Sequence, residues 1–256
     1  PFASAVGANA ISVMRAGLVV GVLGLLGAVL QGANVTEAVG TELIGGVTLT
    51  ATAAIVALVV AAVLVAAGVF AGYPIATAFT VTGAVVGVGL AMGGDPAWPK
   101  YAEILTLWVS TPFVGGGAAY LVARALTGTR LPERALTAVL AGVVGAILAN
   151  VGFALLGPAG EQASVAVVLA ERGGLTPGIV TVAIAAVVAG AEYVDVTRDR
   201  TGAQRRFLLS MGGLVAFSAG GSQVGLAIGP LVPIFSTVGV SLVALLVGGG
   251  IGLLAG

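Results

Sequence analysis

Long apolar stretches separated by short charged or Pro/Gly-rich breaks make up most of this 256-residue chain. A membrane helix needs roughly 20 apolar residues to cross about 30 Å of hydrocarbon. On that measure the pattern predicts seven spans, the sixth of them short, at residues 12–31, 46–71, 101–124, 134–157, 176–194, 207–219 and 237–254. The charged residues then predict five connecting loops, around residues 37–42, 95–103, 124–134, 161–172 and 192–206.

Three further segments, 1–11, 74–92 and 220–235, are apolar but too short or too interrupted to cross. They combine small residues, hydroxyls, Gly and often Pro, and this mixture predicts half-helices that dip into the protein. Broken backbone at membrane depth is tolerated only where it is buried or lines a wet cavity. The alternative is close helix packing through small residues, which with 42 Gly in the chain accounts for most individual glycines.

The composition requires an apolar solvent. Hydrophobic residues make up 59% of the chain and charged residues 8%, and the mean hydropathy is +1.17, so ten acidic and ten basic residues cannot supply a polar surface. The sequence therefore predicts an all-α polytopic protein of the cell membrane. The net charge of zero gives no reason to expect a nucleic-acid partner.

The chain contains few of the residue types that enzymes use in catalysis. It contains no Cys and no His, which excludes thiol chemistry, disulfides, Cys/His metal sites and Ser-His-Asp arrangements. We expect neither an enzyme nor a metal cofactor. With the predicted spans, no charged side chain other than Arg15 approaches the bilayer interior. Hydroxyls, amides and the N–H groups at helix N-termini remain, and these groups suit an anion.

Three stretches resemble the inorganic phosphate transporter (PiT) family, which includes sulfate permeases, and an archaeal-type member is one reading. Phe2–Val39 is similar to the stretch that follows the family's first GANDVANA motif. Gly72–Gly94, which begins GYPIATAFTVTGA, resembles the family's GxPVSTTHxxVGA hairpin, and Gly220–Phe235, GGSQVGLAIGPLVPIF, resembles its second GANDVANAIGPLAAI motif.

The resemblance implies a fold and a mechanism. The family has two inverted repeats, each with a re-entrant hairpin, which face each other around a midplane anion site. Here the repeats would be residues 1–130 and 131–256, the first incomplete at its start and the second at its end. The implied function is secondary active transport of inorganic phosphate by alternating access, with Na⁺ or H⁺ as the coupling ion.

The family motifs also imply the site residues. Substrate binding falls to Thr77, Thr80, Gly221, Ser222, Gln223 and Ser4, and co-ion binding to Gln223 and Ser222. Each has a plainer alternative: Ser222 and Gln223 as hydrogen-bonding links between helices, Thr77 bonded back to its own helix, and Ser4 as a helix cap.

Two departures from the family pattern bear on coupling. Gln223 replaces the Asp of the family's GAND, so an uncharged amide stands where the family has a carboxylate linked to sodium binding. After Pro74, residues 76–79 are Ala, Thr, Ala and Phe instead of Ser, Thr, Thr and His. We therefore expect sodium coupling to be weaker, proton-based, or carried elsewhere.

Alternatives remain open at this stage. Sulfate is the second substrate, since its tetrahedral geometry and charge are close to those of phosphate. A passive channel or membrane scaffold is the alternative from another class. Phosphate or sulfate and the lipid bilayer are the expected partners, and a homodimer is left open.

Orientation is not consistent across the predicted spans. The excess of Arg places the loops at 124–134 and 192–206 on the cytoplasmic side. Six spans between the two motifs would, however, put both motifs on the same face, whereas inverted repeats require an odd number. Either the short span 207–219 or the treatment of 74–92 is therefore incorrect.

Overall fold

The computed structural model describes residues 1–128, 132–153, 156–157 and 162–255. Its helices are α1 (Ala3–Gly7), α2 (Val13–Glu37), α3 (Ala51–Ala71), α4 (Thr77–Ala91), α5 (Trp98–Thr127), α6 (Glu133–Asn150), α7 (Val165–Gly173), α8 (Pro177–Arg198), α9 (Arg200–Ile228), α10 (Val232–Thr237) and α11 (Leu242–Ala255). A π-helical turn, Ala38–Glu42, continues α2, and a 3₁₀ turn, Gly229–Leu231, follows α9.

Strands are minor elements of the described chain. They are β1 (Ile44–Gly45), β2 (Asp95–Pro96), β3 (Gly152–Phe153) and β4 (Ala163–Ser164), which form two antiparallel pairs. Six helical segments are long and apolar enough to cross a membrane: Val13–Glu42, Ala51–Ala71, Trp98–Thr127, Glu133–Asn150, Pro177–Arg198 and Arg200–Thr237. The all-α polytopic class is confirmed.

The chain divides into two compact units. Unit 1 contains Pro1–Val6, Ile11–Leu105 and Gly212–Gly256, and unit 2 contains Gly7–Ala10 and Thr106–Met211. The units interleave along the sequence, so they are a different division from the predicted repeats 1–130 and 131–256. Those repeats stay a prediction, and their boundary at 130–131 lies outside the described residues.

Glycine allows α2 and α9 to pack closely within unit 1. Gly24 faces Gly220, and Gly27 faces the backbone carbonyl of Phe217. A Cβ atom on Gly27 or Gly220 would collide with backbone atoms of the facing helix. The close approach therefore depends on the missing side chains, which is how small residues act at helix interfaces in membranes.

Further packing in unit 1 comes from α11 and from the α3–α4 pair. Leu246 of α11 joins Ala28, Val224 and Ile228 in a buried cluster. Helix α3 begins at a capping residue, Thr50, whose hydroxyl accepts a hydrogen bond from the Ala53 N–H at 3.2 Å. These contacts bury small and branched side chains inside the unit while the outer faces stay apolar, as expected in lipid.

Unit 2 is built on α6 packed antiparallel to α8. Gly142 lies against the Ala185 carbonyl, and the Asn150 amide donates a hydrogen bond to the Thr181 hydroxyl at 2.9 Å. Helix α7 is capped by the Ser164 hydroxyl, which accepts from the Val167 N–H at 3.3 Å. The small residues again allow the two helices to lie close together. The hydrogen bond between Asn150 and Thr181 fixes the position of one helix along the axis of the other.

The half-helix prediction is wrong in detail for both Pro-containing segments. Residues 74–92 hold one continuous helix, α4, instead of a pair of half-helices, and residues 74–76 before it and Met92 after it are non-helical. In 220–235, α9 runs unbroken through Ile228 and the helix changes only at Gly229–Leu231. The predicted short span 207–219 is therefore part of α9. Segment 1–11 holds a five-residue helix and a turn in which Asn9 has a φ of 53°.

Two span boundaries also differ from the prediction. The span expected at 134–157 ends as a helix at Asn150, because Gly152 and Phe153 form a strand instead. The expected final span corresponds to α11, which has 14 residues and falls short of a crossing length.

The predicted charged loops are largely the ends of helices. Residues 192–206 belong to α8 and α9, which meet at Asp199. Ion pairs join these ends, with Arg206 bound to Asp195 through two hydrogen bonds of 2.7 Å and Arg200 bound to Glu133. Pairing of this kind lets a helix continue beyond its apolar stretch.

Glu192, expected in a loop, is instead part of α8, and one of its carboxylate oxygens is buried without a hydrogen bond from any residue that the structure describes. It lies six residues before Arg198, where this helix ends, so the expectation that no carboxylate lies deep in the bilayer stays a prediction. Arg130 and Glu161, expected in loops, lie outside the described residues.

Candidate functional site

The start of α4 is an uncapped helix N-terminus in unit 1. Helix α3 ends at Gly72, whose φ of 73° is readily available only to glycine, and residues 73–76 are non-helical before α4 begins. Ala76 has extended backbone angles and provides no side-chain cap. The start of α4 therefore carries the positive end of the helix dipole without a side-chain cap from Ala76.

Thr77 and Gln223 meet at this position. The Thr77 hydroxyl donates a 3.1 Å hydrogen bond to the side-chain oxygen of Gln223, on α9. The two residues are 146 positions apart in sequence. The structure thus joins one residue from each of the two motifs that resemble the family, within a single compact unit.

Thr80 and Ser222 lie on the same two helices as this pair, but their hydroxyls have different partners. The Thr80 hydroxyl donates to the Ala76 carbonyl at 3.1 Å, one turn into α4, and the Ser222 hydroxyl donates to the Ala219 carbonyl at 3.2 Å. Both hydroxyls thus bond to their own helices. Their oxygen lone pairs remain available, and rotation about the side chain would release the donor.

Gly221 and Ser4 lie apart from the Thr77–Gln223 pair. Gly221 is buried against the Gly27 carbonyl and Gln31 of α2, which is a packing position. Ser4 is exposed on α1, and no contact in the described chain joins it to Thr77 or Gln223. The predicted roles of both residues in substrate binding stay predictions.

The chemistry around Thr77 is neutral and rich in hydrogen-bonding groups. Gln223 uses its side-chain oxygen in the bond to Thr77, so its NH₂ group, which carries two donors, takes no part in that bond. The start of α4 adds the positive end of a helix dipole. In the part of the chain that the structure describes, no group of three or more His, Cys, Asp or Glu residues could hold a metal ion.

A cavity that sequence reasoning missed lies elsewhere in unit 1. Its volume is about 360 Å³, and its wall includes the π-helical turn that continues α2, residues 47–49, and the polar side chains of Thr41, Ser236 and Thr237. Single π-turns inside helices often mark functional positions. In the sequence these residues are divided between the predicted loop at 37–42, the predicted span at 46–71 and the start of the last predicted span, so no pattern groups them.

The whole chain matches one family of known proteins. The sequence profile of the Phosphate transporter family matches residues 1–256. A putative phosphate permease of Pyrococcus furiosus is 33% identical over 138 residues, which cover 51% of this chain and 34% of the relative. Equally named proteins of Thermococcus kodakarensis and Chlamydia trachomatis are each 30% identical, over 131 and 128 residues.

Coverage of these relatives is partial. The Thermococcus match covers 48% of this chain and 32% of the relative, and the Chlamydia match covers 46% and 29%. The chain thus spans about a third of the length of the curated relatives that it matches. No solved structure matches the chain.

Proposed function

Because the chain belongs to the phosphate transporter family, a family of transporters and not of enzymes, we propose that it carries inorganic phosphate across the membrane by alternating access. The observation that carries this proposal is the hydrogen bond between Thr77 and Gln223. It places the start of α4 beside α9 and brings hydroxyl, amide and backbone N–H groups into one neighbourhood.

The anion is held by neutral donors in this proposal. A helix N-terminus presents roughly half an elementary positive charge together with free N–H groups. The NH₂ group of Gln223 adds directional donors for phosphate oxygens, and the Thr77 hydroxyl would add one on turning away from the Gln223 side-chain oxygen. Thr80 and Ser222 are one turn and one residue away, and their hydroxyls would rotate toward a bound ion.

The number of membrane crossings supports two inverted repeats. Five candidate spans precede α9 in the described chain, because 207–219 is part of α9 and α4 has only 15 residues. An odd number of crossings between the two family motifs would place them with opposite orientations. Inverted repeats around a midplane site are common in transporters with interrupted helices.

We expect weak sodium coupling. Sodium prefers hard oxygen ligands and gains energy from a nearby carboxylate, whereas Gln223 offers only an amide oxygen that already accepts a hydrogen bond from Thr77. Uptake of labelled phosphate by the full-length protein in liposomes should therefore depend little on sodium. Gln223→Asp should introduce a sodium dependence, and a variant that stays indifferent to sodium would contradict this assignment.

The same liposomes test the site and the mechanism. Thr77→Val should lower phosphate uptake at least about fivefold, as expected for the loss of one substrate hydrogen bond of about 1 kcal/mol. Thr111→Val is the matched control, because the Thr111 hydroxyl bonds to the Leu107 carbonyl of its own helix α5. An equal loss of phosphate uptake in both variants would show that the substrate site does not include the start of α4.

Competition and exchange distinguish the alternatives. Unlabelled phosphate inside the liposomes should accelerate entry of labelled phosphate, as carriers do and channels do not. Sulfate should compete poorly. Sulfate competition as strong as that of phosphate would instead identify a broader oxyanion permease.

A further inference from the structure

One end of unit 2 collects most of the charge in this protein. Seven of its ten basic residues, but only four of its ten acidic residues, lie in 124–134 and 192–206. Because α6 and α8 are antiparallel and Glu133 pairs with Arg200, the described residues at the start of α6 and at the junction of α8 and α9 meet at the same end of unit 2. The excess of Arg predicts that this end faces the cytoplasm.

A cavity of about 500 Å³ opens at this end. It is lined by the first turn of α6, the last turns of α8 and the first residue of α9: Pro132, Glu133, Arg134, Val196, Thr197 and Arg200. All of these residues belong to unit 2. The cavity is distinct from the Thr77–Gln223 pair, which lies in unit 1.

The charges around the cavity leave a net positive site. Glu133, the one acidic residue in the described lining, pairs with Arg200 and accepts a 2.8 Å hydrogen bond from the Gln204 amide. Arg134 pairs with no acidic side chain in the described residues, and its guanidinium lies over the Tyr193 ring at 5.8 Å. An aromatic ring orients a guanidinium and leaves its N–H donors free for another ligand.

The cavity lies at the ends of three membrane-crossing helices. Helices α6, α8 and α9 each belong to a candidate span, and the start of α6, the end of α8 and the start of α9 line the cavity. This position puts the cationic cavity at the level of the lipid headgroups.

We propose that this cavity binds the phosphate headgroup of an anionic phospholipid, with Arg134 as the principal contact. Arg200 contributes the donors that its bond to Glu133 leaves free. The charge favours an anion, and the position at the ends of three membrane helices favours a lipid over a soluble phosphate. Basic pockets between membrane helices are known to bind such headgroups.

The test compares two lipids on the purified full-length protein in detergent. Phosphatidylglycerol and phosphatidylcholine with identical acyl chains are added, and retained lipid is counted by native mass spectrometry beside the midpoint of thermal unfolding. Phosphatidylglycerol should be retained and should raise the midpoint more than phosphatidylcholine. Arg134→Gln should weaken phosphatidylglycerol binding about fivefold, the effect of one basic contact at a membrane surface.

Matched variants make the result decisive. Arg172→Gln removes the same charge from an exposed position on α7, at the other end of α8, and should leave lipid binding unchanged. Arg134→Lys keeps the charge and should restore much of the binding. Equal retention of both lipids, or equal loss in the Arg134 and Arg172 variants, would overturn the proposal.

A soluble ligand is the remaining outcome. If inorganic phosphate at the same phosphate concentration raises the unfolding midpoint as much as phosphatidylglycerol, and Arg134→Gln but not Thr77→Val abolishes that rise, the cavity serves a free oxyanion and the lipid assignment is wrong. Comparing the two variants separates this cavity from the Thr77–Gln223 pair, where bound phosphate would also stabilise the protein.

Discussion

Residues 72–92 and 220–235 have similar compositions but different backbones. Both are rich in Gly, both carry Ser or Thr, and both contain Pro. In the first, the chain leaves the helix at Gly72 and resumes it at Thr77. In the second, the helix passes through Gly220 and Gly221 and changes only at Gly229.

The difference lies in what faces each glycine. Gly220 and Gly221 lie against α2, and the helix is continuous because close packing supports it. Both actual breaks occur where Pro follows Gly within two residues, at Gly72 and Pro74 and again at Gly229 and Pro230. Pro112 stays inside α5, so Pro alone does not end a helix here.

The largest effect is expected when a methyl group is added to the packed segment. Gly220→Ala would drive a Cβ into the backbone of Gly24, and we expect a loss of about 3 kcal/mol, near the upper end of the cost of overpacking. The measurement is the thermal unfolding midpoint of the full-length protein in detergent.

Gly83→Ala is the matched control in the other segment. A Cβ on Gly83, within α4, would meet nothing within 4 Å. Alanine should stabilise the helix there by about 1 kcal/mol, since it replaces a helix-interior glycine. Equal destabilisation by both substitutions would refute the packing explanation.

A moderate loss of stability is expected from a substitution at Gly72, where the chain leaves α3 before it begins α4. Gly72→Ala places a Cβ on a residue with a φ of 73°, which should cost about 1–2 kcal/mol. The free space around Gly72 excludes a steric clash as the cause. Gly87→Ala, an equally open position inside α4, should show no such loss in the same unfolding measurement.

The smallest effect concerns the bond that joins the two segments. In a double-mutant cycle of Thr77→Val and Gln223→Leu, the coupling free energy should be about 1 kcal/mol, the usual net value of one hydrogen bond. Strictly additive losses would mean that the two side chains do not interact in the folded protein.

The sequence predicts the membrane class and most helices of this protein because apolar length is a local property. Five of the predicted spans, beginning at 12, 46, 101, 134 and 176, correspond to α2, α3, α5, α6 and α8. Helix ends were harder to predict. Residues 192–206 read as a loop because the ion pairs that allow helices there join residues of different helices, such as Glu133 and Arg200.

The candidate site was predictable only in part. The family motifs singled out Thr77 and Gln223 separately, and the structure brings them within 3.1 Å. They could not show that Gly221 would face α2, because that depends on which helix packs there. No motif marked Arg134, whose interest comes from a cavity and an aromatic ring that tertiary structure assembles.

The glycine contacts between α2 and α9 have a mechanical consequence. Where backbone lies against backbone at Gly24 and Gly220, neither helix has slack to slide or tilt against the other. We therefore expect α2 and the part of α9 that carries Gln223 to move together. A change in the angle of α4 would then occur at the short non-helical link before Thr77.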